Sequence, residues 1–594
     1  MASSALKSTT GGNSNQWSIT QHPLESIKQT IASTTTAESR GNRVSHMQSA
    51  NEGPADIISK VSGAMEGGKR EDDGPYFTNN EGIPWPDVDH SKTIGGVPVA
   101  SDVFLFQKQQ TSNRSKNLER MVHPCGSGAF GYFECTHDVT HLTKANFLQS
   151  VGERTPIFIR FSTVTLGREY PDEGRNPRGF AVKFYTKEGN YDNVGLNFPV
   201  FFCRDPIQGP DVIRSQHRNP QNFLLDMNSI FDLLASTMGP RSAGATTMVM
   251  AVTLSSGSKA KGDVYTSSTF FVLRIAAHAD FIADHADFIA KHGQKQFTYD
   301  EAIRTMGEDP DYSKRDLWEA IERGEEPEWT TKVQIMEPED ADPEKLGFDP
   351  FDVTKVWPCD QFHMHDFGRL VLNKNPGKSI FTSAIESALA LTNAENFHRD
   401  VELAAFSPGS MVPGIGDSPD PLLHFRMFFY RDAQYHRIGV NLHQVPVNCP
   451  FMSRSYSSLN FDGPMRADAN HAGNPQYVPN SYAYKFRPDT VEPAFKVSDN
   501  VCSRKSHYYH EGKKSDYAQA TRLWKHMMSE QELYNIAPDY AQGIYDLLPK
   551  KDFEVQEVIK LSETACQWYK EKILQPAPGN RLVGFAPQTS PYQI

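Results

Sequence analysis

The chain has 594 residues, with 60 Lys and Arg against 72 Asp and Glu, for a formal net charge of -12. That balance disfavours nucleic acid as a partner, and no apolar run is long enough to cross a bilayer, so no membrane is expected either. Seven cysteines, scattered and odd in number, argue for a reducing compartment over a disulfide framework.

Residues 1–74 are rich in Ser, Thr, Gly and Asn with little apolar periodicity, and are expected to form a disordered tail. The N-terminus lacks the basic-then-apolar pattern of a secretion signal. From 75 to 123 the text is polar and irregular, as suits an arm lying over other subunits. Alternating segments at 156–161, 179–185 and 198–203 predict strands with Gly-, Asn- and Asp-rich turns between them, inside a core spanning 124–375. Residues 376–502 are rich in Pro, Asn and Gly and read as a long wrapping connection that carries one helix. Helical stretches at 515–528 and 537–548 then mark a C-terminal helical region, 503–594. Strand spacing alone gives the class α+β. The chain closes on Pro591-Tyr592-Gln593-Ile594, which is not a Ser-Lys-Leu-type peroxisomal address, so a cytoplasmic location is expected.

The most informative stretch is Arg426-Met427-Phe428-Phe429-Tyr430-Arg431-Asp432. Arg426 and Tyr430 are four apart with no Gly or Pro between them, so on a helix a guanidinium lies against a phenol. A phenol normally keeps its proton to a pKa of about 10, and a neighbouring cation or metal favours the charged form. Such a pair suits an anionic oxygen ligand for ferric iron, although an aromatic helix face packed in a core would carry the same letters. Two other patterns are decoys. Gly126-x-Gly128-x-x-Gly131 fits a nucleotide-loop pattern, but Tyr132-Phe133-Glu134 continues it as a strand and no helix follows. Cys125 and Cys135 have no companion His at zinc spacing.

Around Tyr430 the chain resembles the monofunctional haem catalases, in particular the cytosolic enzymes of filamentous fungi. Arg426, Phe428, Tyr430 and Asp432 meet the family's Arg-x-Phe-x-Tyr-x-Asp motif. The runs 119–123, 126–134, 160–164, 176–185, 348–358 and 447–450 match in order, within a resemblance running from about 75 to 549. The resemblance implies an eight-stranded antiparallel barrel with an arm, a wrapping loop and a helical cap, a homotetramer, and a haem b enzyme acting on hydrogen peroxide. It implies Tyr430 as iron ligand, His123 as acid–base group and Ser162 as the hydroxyl orienting its imidazole. It gives Arg120, Arg160 and Arg437 to the haem propionates, Arg426 to the ligand Tyr, and Val122 and Phe201 to the porphyrin face. One match fails. Where the family reads Val-Gly-Asn-Asn this chain reads Val194-Gly195-Leu196-Asn197, so Asn197 replaces the peroxide-facing amide only if the strand is bulged there. Val356 and Trp357 fit an outer NADPH site, but Cys359 stands where a His is often found, which leaves NADPH doubtful.

Two stretches break the resemblance. Across 236–290 it lapses, and the codons for 243–258 read one base out of phase permit family text, with two glycines forced at Met248–Val249 and Met250–Ala251. A seven-residue repeat follows, 278–284 and 285–291, which the family lacks. Residues 377–395 can be written with splice-donor, branch-point and acceptor sequences and removed in frame. Divergence and a surface insertion are the plainer explanations. The rival functional readings are a haem peroxidase of small organic donors and an inactive pseudo-catalase made from an altered frame, in which Arg426 lacks its His partner.

Overall fold

The computed structural model describes, with short gaps, residues 78–84, 102–229, 282–376 and 397–454, together with strands at 93–98 and 272–273 and isolated positions including Leu233, Arg487 and Thr490. The tail at 1–74, the out-of-phase stretch 243–258, the insertion 377–395 and the C-terminal helices all lie outside the described residues.

After a small hairpin, β1 (Thr93–Ile94) and β2 (Val97–Pro98), the strands form one antiparallel sheet. They are β3 (Gly126–Cys135), β4 (Arg154–Thr163), β5 (Arg178–Thr186), β6 (Gly189–Leu196), β7 (Val272–Leu273), β8 (Ile282–Ala290), β9 (Glu328–Met336), β10 (Met364–Lys374) and β11 (Ile415–Gly416). Their order is linear, β11-β7-β8-β9-β10-β3-β4-β5-β6.

Alternation explains why β4 and β5 are buried on both sides. Ile157, Ile159 and Phe161 face one core, where Phe161, Phe180, Phe288 and Trp329 meet ring to ring. Phe158 and Tyr185 face a second core, formed with the strap after residue 400, where Phe158 stacks on Phe406 and the Tyr185 hydroxyl donates to Val447 O at 2.7 Å.

Of the predicted strand 198–203, the described residues Phe201, Phe202 and Cys203 are irregular, and a Pro such as Pro199 cannot donate to a ladder. The strand is β6, whose text (GNYDNVGL) shows no apolar alternation because both of its faces are covered. The second copy of the repeat supplies most of β8, with a register shift between Asp284 and Ala286 and Phe288 buried in the aromatic core.

The arm is less irregular than expected, since helix α1 (Val103–Asn113) lies within it, capped by Asp102. Its buried face is Gln109, Ser112 and Asn113, so apolar periodicity could not mark it. Among the described residues four helices intervene: α2 (Gly209–Ser215), α3 (Tyr299–Glu308), α4 (Tyr312–Glu322) and α5 (Pro343–Leu346). Helix α6 (Pro421–Arg437) then carries Tyr430. It starts where Pro421 needs no donor and Asp420 accepts from Leu422 N and Leu423 N at 2.8 and 3.1 Å. Helix α1 clamps it: Gln109 and Asn113 donate to Phe425 O and Phe429 O, and Asn113 and Arg114 both reach Asp432.

Candidate active site

Between the β3–β6 part of the sheet and α6 lies a cavity with about 1140 Å³ of space, the open solvent at its mouth included. Its lining includes Arg120, Val122, His123, Arg160, Ser162, Phe201, Arg426, Tyr430 and Arg437, nine of the ten site residues expected from the sequence. Asn197, the tenth, is not among them. The β5–β6 register runs from Gly179↔Leu196 to Thr186↔Gly189 without a shift, so the bulge its role requires is missing. Its Oδ1 instead accepts from Arg178 N at 2.8 Å, prolonging the ladder, while Leu196 lines the cavity.

His123 sits just before β3 with φ at +60°, a conformation a non-glycine residue holds only when its surroundings impose it. The surroundings do so from both sides. Its N–H donates to Val164 O at 2.8 Å, and its carbonyl accepts from Arg160 Nη1 at 2.8 Å. The imidazole Nδ1 is 2.8 Å from Ser162 Oγ on β4. Gly179 makes the space: a Cβ there would lie 2.5 Å from Ser162 Oγ and 2.6 Å from His123 Nδ1. Burial, then repulsion from Arg160, Arg120 and Arg426, pushes the imidazole down to about 3, so the ring is neutral near pH 7.

Three guanidiniums gather at the end of the cavity where the strap crosses. Arg120 donates to Glu402 O and Ala404 O at 2.6 and 3.0 Å, and Arg437 to the same two carbonyls at 2.6 and 3.1 Å. Arg160 is 2% exposed and lies 3.5 Å from Glu402 Oε1, the carboxylate that faces the group. Burial and the neighbouring arginines push Arg120 well down and Arg437 down to about 10. Arginine does not give up its proton in proteins, so these shifts register crowded, desolvated positive charge. The Nε atoms of Arg120 and Arg160 are buried without a hydrogen-bond partner. Three cations against one carboxylate form a receptor for an anionic group.

On α6 the expected pairing is present, with the Arg426 guanidinium 5.5 Å from the Tyr430 ring centroid and 5.9 Å from that of Phe201. Arg426 donates to Val194 O at 2.7 Å, while its Nε is buried without a partner. The strand expected to supply its His partner lies outside the described residues. Asp420, the cap of α6, is pushed up to about 7 by burial.

Neither Glu402 nor Gly179 was among the site residues expected from the sequence. Gly179 stood inside a matching run, but its clearance under His123 exists only once two strands pair.

A buried, neutral histidine held by a serine, a tyrosine under a cation, and an arginine-rich end around one cavity match the arrangement expected of a haem-dependent peroxide enzyme. The catalase family model matches residues 78–484, and the chain belongs to that family. It is 40% identical over 464 residues to the catalase of Methanosarcina barkeri, covering 77% of this chain and 86% of the relative. It is 38% identical over 484 residues to the peroxisomal catalase of Toxoplasma gondii, covering 80% and 91%. Among solved structures, a fungal catalase superposes with a TM-score of 0.65 at 31% identity, covering 85% of this chain and 98% of that one. Catalase A from Saccharomyces cerevisiae gives 0.64 at 32% identity, covering 84% and 99%. The enzyme decomposes hydrogen peroxide to water and dioxygen, and its family implies a haem cofactor.

Proposed function

We propose that the cavity holds haem b, with Tyr430 as the iron ligand and Arg120, Arg160 and Arg437 on the two propionates. The observation that carries this reading is the excess of buried positive charge around orphaned Nε atoms, which two carboxylates would neutralise. Val122 and Phe201 supply apolar surface for the ring, and Arg426 faces the phenol. Bound there, haem supplies the iron and the redox chemistry that breaks the O–O bond.

The protein moves the proton. Neutral His123 accepts a proton from one peroxide oxygen at Nε2 and delivers it to the departing oxygen, while Ser162 Oγ at Nδ1 fixes the ring. The left-handed backbone at His123, pinned by Val164 and Arg160, keeps that imidazole from swinging away. Asn197 has no part in this account, because its side-chain oxygen accepts from Arg178 N and it does not line the cavity.

The same reading includes closure of the sheet into the eight-stranded barrel and the division into tail (1–74), arm (75–123), core (124–375), wrapping loop (376–502) and helical region (503–594). It includes a homotetramer in the cytoplasm. The exposed Val103 and Phe104 on α1, at 74% and 61%, support an arm that packs on a neighbouring subunit. Outer-surface NADPH gains no support from Trp357, which is fully buried with its indole donating to Pro350 O. Oxygen release from hydrogen peroxide, measured with the haem absorbance of the purified chain, tests the assignment. Bound haem with one site per chain is expected, and a haem-free chain or one that oxidises organic donors without releasing oxygen would overturn it.

A further inference from the structure

We propose that Glu402 is a counter-ion that competes with the cofactor's carboxylates for the arginine cluster and so sets how long the haem is held. The inference rests on the assignment of Arg120, Arg160 and Arg437 to the propionates and goes one residue beyond it. All three arginines line the cavity, and Glu402 on the strap does not. Its carboxylate reaches them from behind, with Oε1 3.5 Å from Arg160 Nη2. Beyond ordinary hydrogen-bond length, that contact works by charge. The backbone of the same residue holds the other two, since its carbonyl accepts from Arg120 Nη2 and Arg437 Nη1, each at 2.6 Å. One residue thus gathers three cations, one by charge and two by hydrogen bonding.

The electrostatics give that residue two opposed effects. Arg160 is 2% exposed and Glu402 8%, so little water screens the group. Burial disfavours all three guanidiniums, and attraction to Glu402 favours all three. Like charges packed together out of water repel, and this carboxylate keeps the cluster from pushing itself apart. It leaves two positive charges uncancelled, which two ionised propionates would match. Once propionates approach from the cavity side, the same carboxylate is an anion sharing their cations. It lowers the field they feel, and the cofactor leaves sooner than it would from the arginines alone.

The test follows haem loss from the purified, loaded enzyme to excess apomyoglobin by absorbance, for wild type, Glu402→Gln and Arg160→Gln. Gln keeps the size and the backbone carbonyl and removes the charge. Glu402→Gln should lose haem about tenfold more slowly, as expected when one like charge is withdrawn from a poorly screened site. A residue that only braced the strap would have the opposite signature, since its loss loosens the site and haem leaves faster. A rate equal to or above that of wild type therefore overturns the proposal. So does failure of Glu402→Gln to accumulate as loaded protein, because the propionates would then not replace the missing carboxylate. Arg160→Gln should lose haem faster. If it does not, or if the wild type binds no haem, the propionate assignment itself fails, and the role of Glu402 with it.

Discussion

The two walls of the cavity are built by different means and carry different chemistry. The sheet wall holds His123, Ser162, Gly179 and Leu196, placed by an unbroken ladder from β3 to β6. The helix wall holds Arg426, Tyr430 and Arg437 on α6, placed by the Asp420 cap at one end and the α1 clamp along its length. Ladder pairing fixes neighbouring positions to within small errors, which suits a proton carrier that has to meet a small substrate. A helix presents side chains every turn along one face, which suits spreading charges over a large flat ligand. Burial first, and then the positive charge of Arg160, Arg120 and Arg426, holds His123 neutral. Of the three arginines only Arg426 lies on the helix wall, so the helix wall adds the smallest part of that effect.

Removing one member from each wall separates these tasks. Tyr430→Phe takes away the anionic oxygen and should abolish stable haem binding, read as loss of the haem absorbance in purified protein. His123→Ala should keep haem while peroxide turnover falls by about 10²–10⁴, the range for a general acid–base group. Retention of haem by the first variant, or of wild-type turnover by the second, would erase the division of labour. Gly179→Ala probes the ladder's tolerance, because the added methyl pushes on Ser162 and His123 together. Turnover should fall by about 10–100-fold, as for a catalytic group displaced by around 1 Å, with haem content unchanged.

The two walls were unequally legible in the sequence. Arg426 and Tyr430 could be paired from helical spacing alone, since both lie on one continuous element. The arginine group could be named only through family resemblance, because Arg120, Arg160 and Arg437 are brought together by the strap whose carbonyls they share. Strands β4 and β5 showed in the apolar text. Strand β6 did not, since burial on both faces removes the alternation and its polar residues are satisfied by partners remote in sequence, as Asp192 is by Lys183 and Ser407 N. Placing Asn197 in the cavity failed for a related reason. A strand's facing parity is set by register, and an unbroken ladder sends Leu196 inward. The repeat also reads differently once folded. A slip of β8 by seven residues brings almost the same side chains to the same partners, so its text supports two registers where other strands support one.

The clamp on α6 should matter to stability more than to chemistry. Asn113→Leu leaves Phe429 O and Asp432 without its amide donor, at a cost of about 1–3 kcal/mol for a buried acceptor. Thermal unfolding of the haem-loaded protein should shift down by a few degrees, an order-of-magnitude expectation. Turnover should stay near wild type, since Asn113 does not line the cavity. A large loss of activity at unchanged stability would mean that the clamp sets the position of Tyr430.

The smallest expected effect is on pH dependence, and it arises because the two walls oppose each other. His123 falls from an ordinary 6.5 to about 3 on folding. As pH drops through that window the unfolded chain takes up a proton that the folded chain refuses, so stability is lost on acidification. Asp420 rises from an ordinary 3.8 to about 7. There the folded chain takes the proton first, so its contribution is present at low pH and is lost as pH rises through about 7. Over the shared interval the two slopes have opposite signs and largely cancel. Wild-type stability should therefore change little through these two groups between about pH 6.5 and 4, and turnover should also stay level there because the imidazole remains neutral. His123→Gln removes one slope. Its unfolding free energy, relative to wild type at each pH, should rise on acidification over the same interval. A difference that stays constant with pH would mean that His123 is not held neutral in the folded chain.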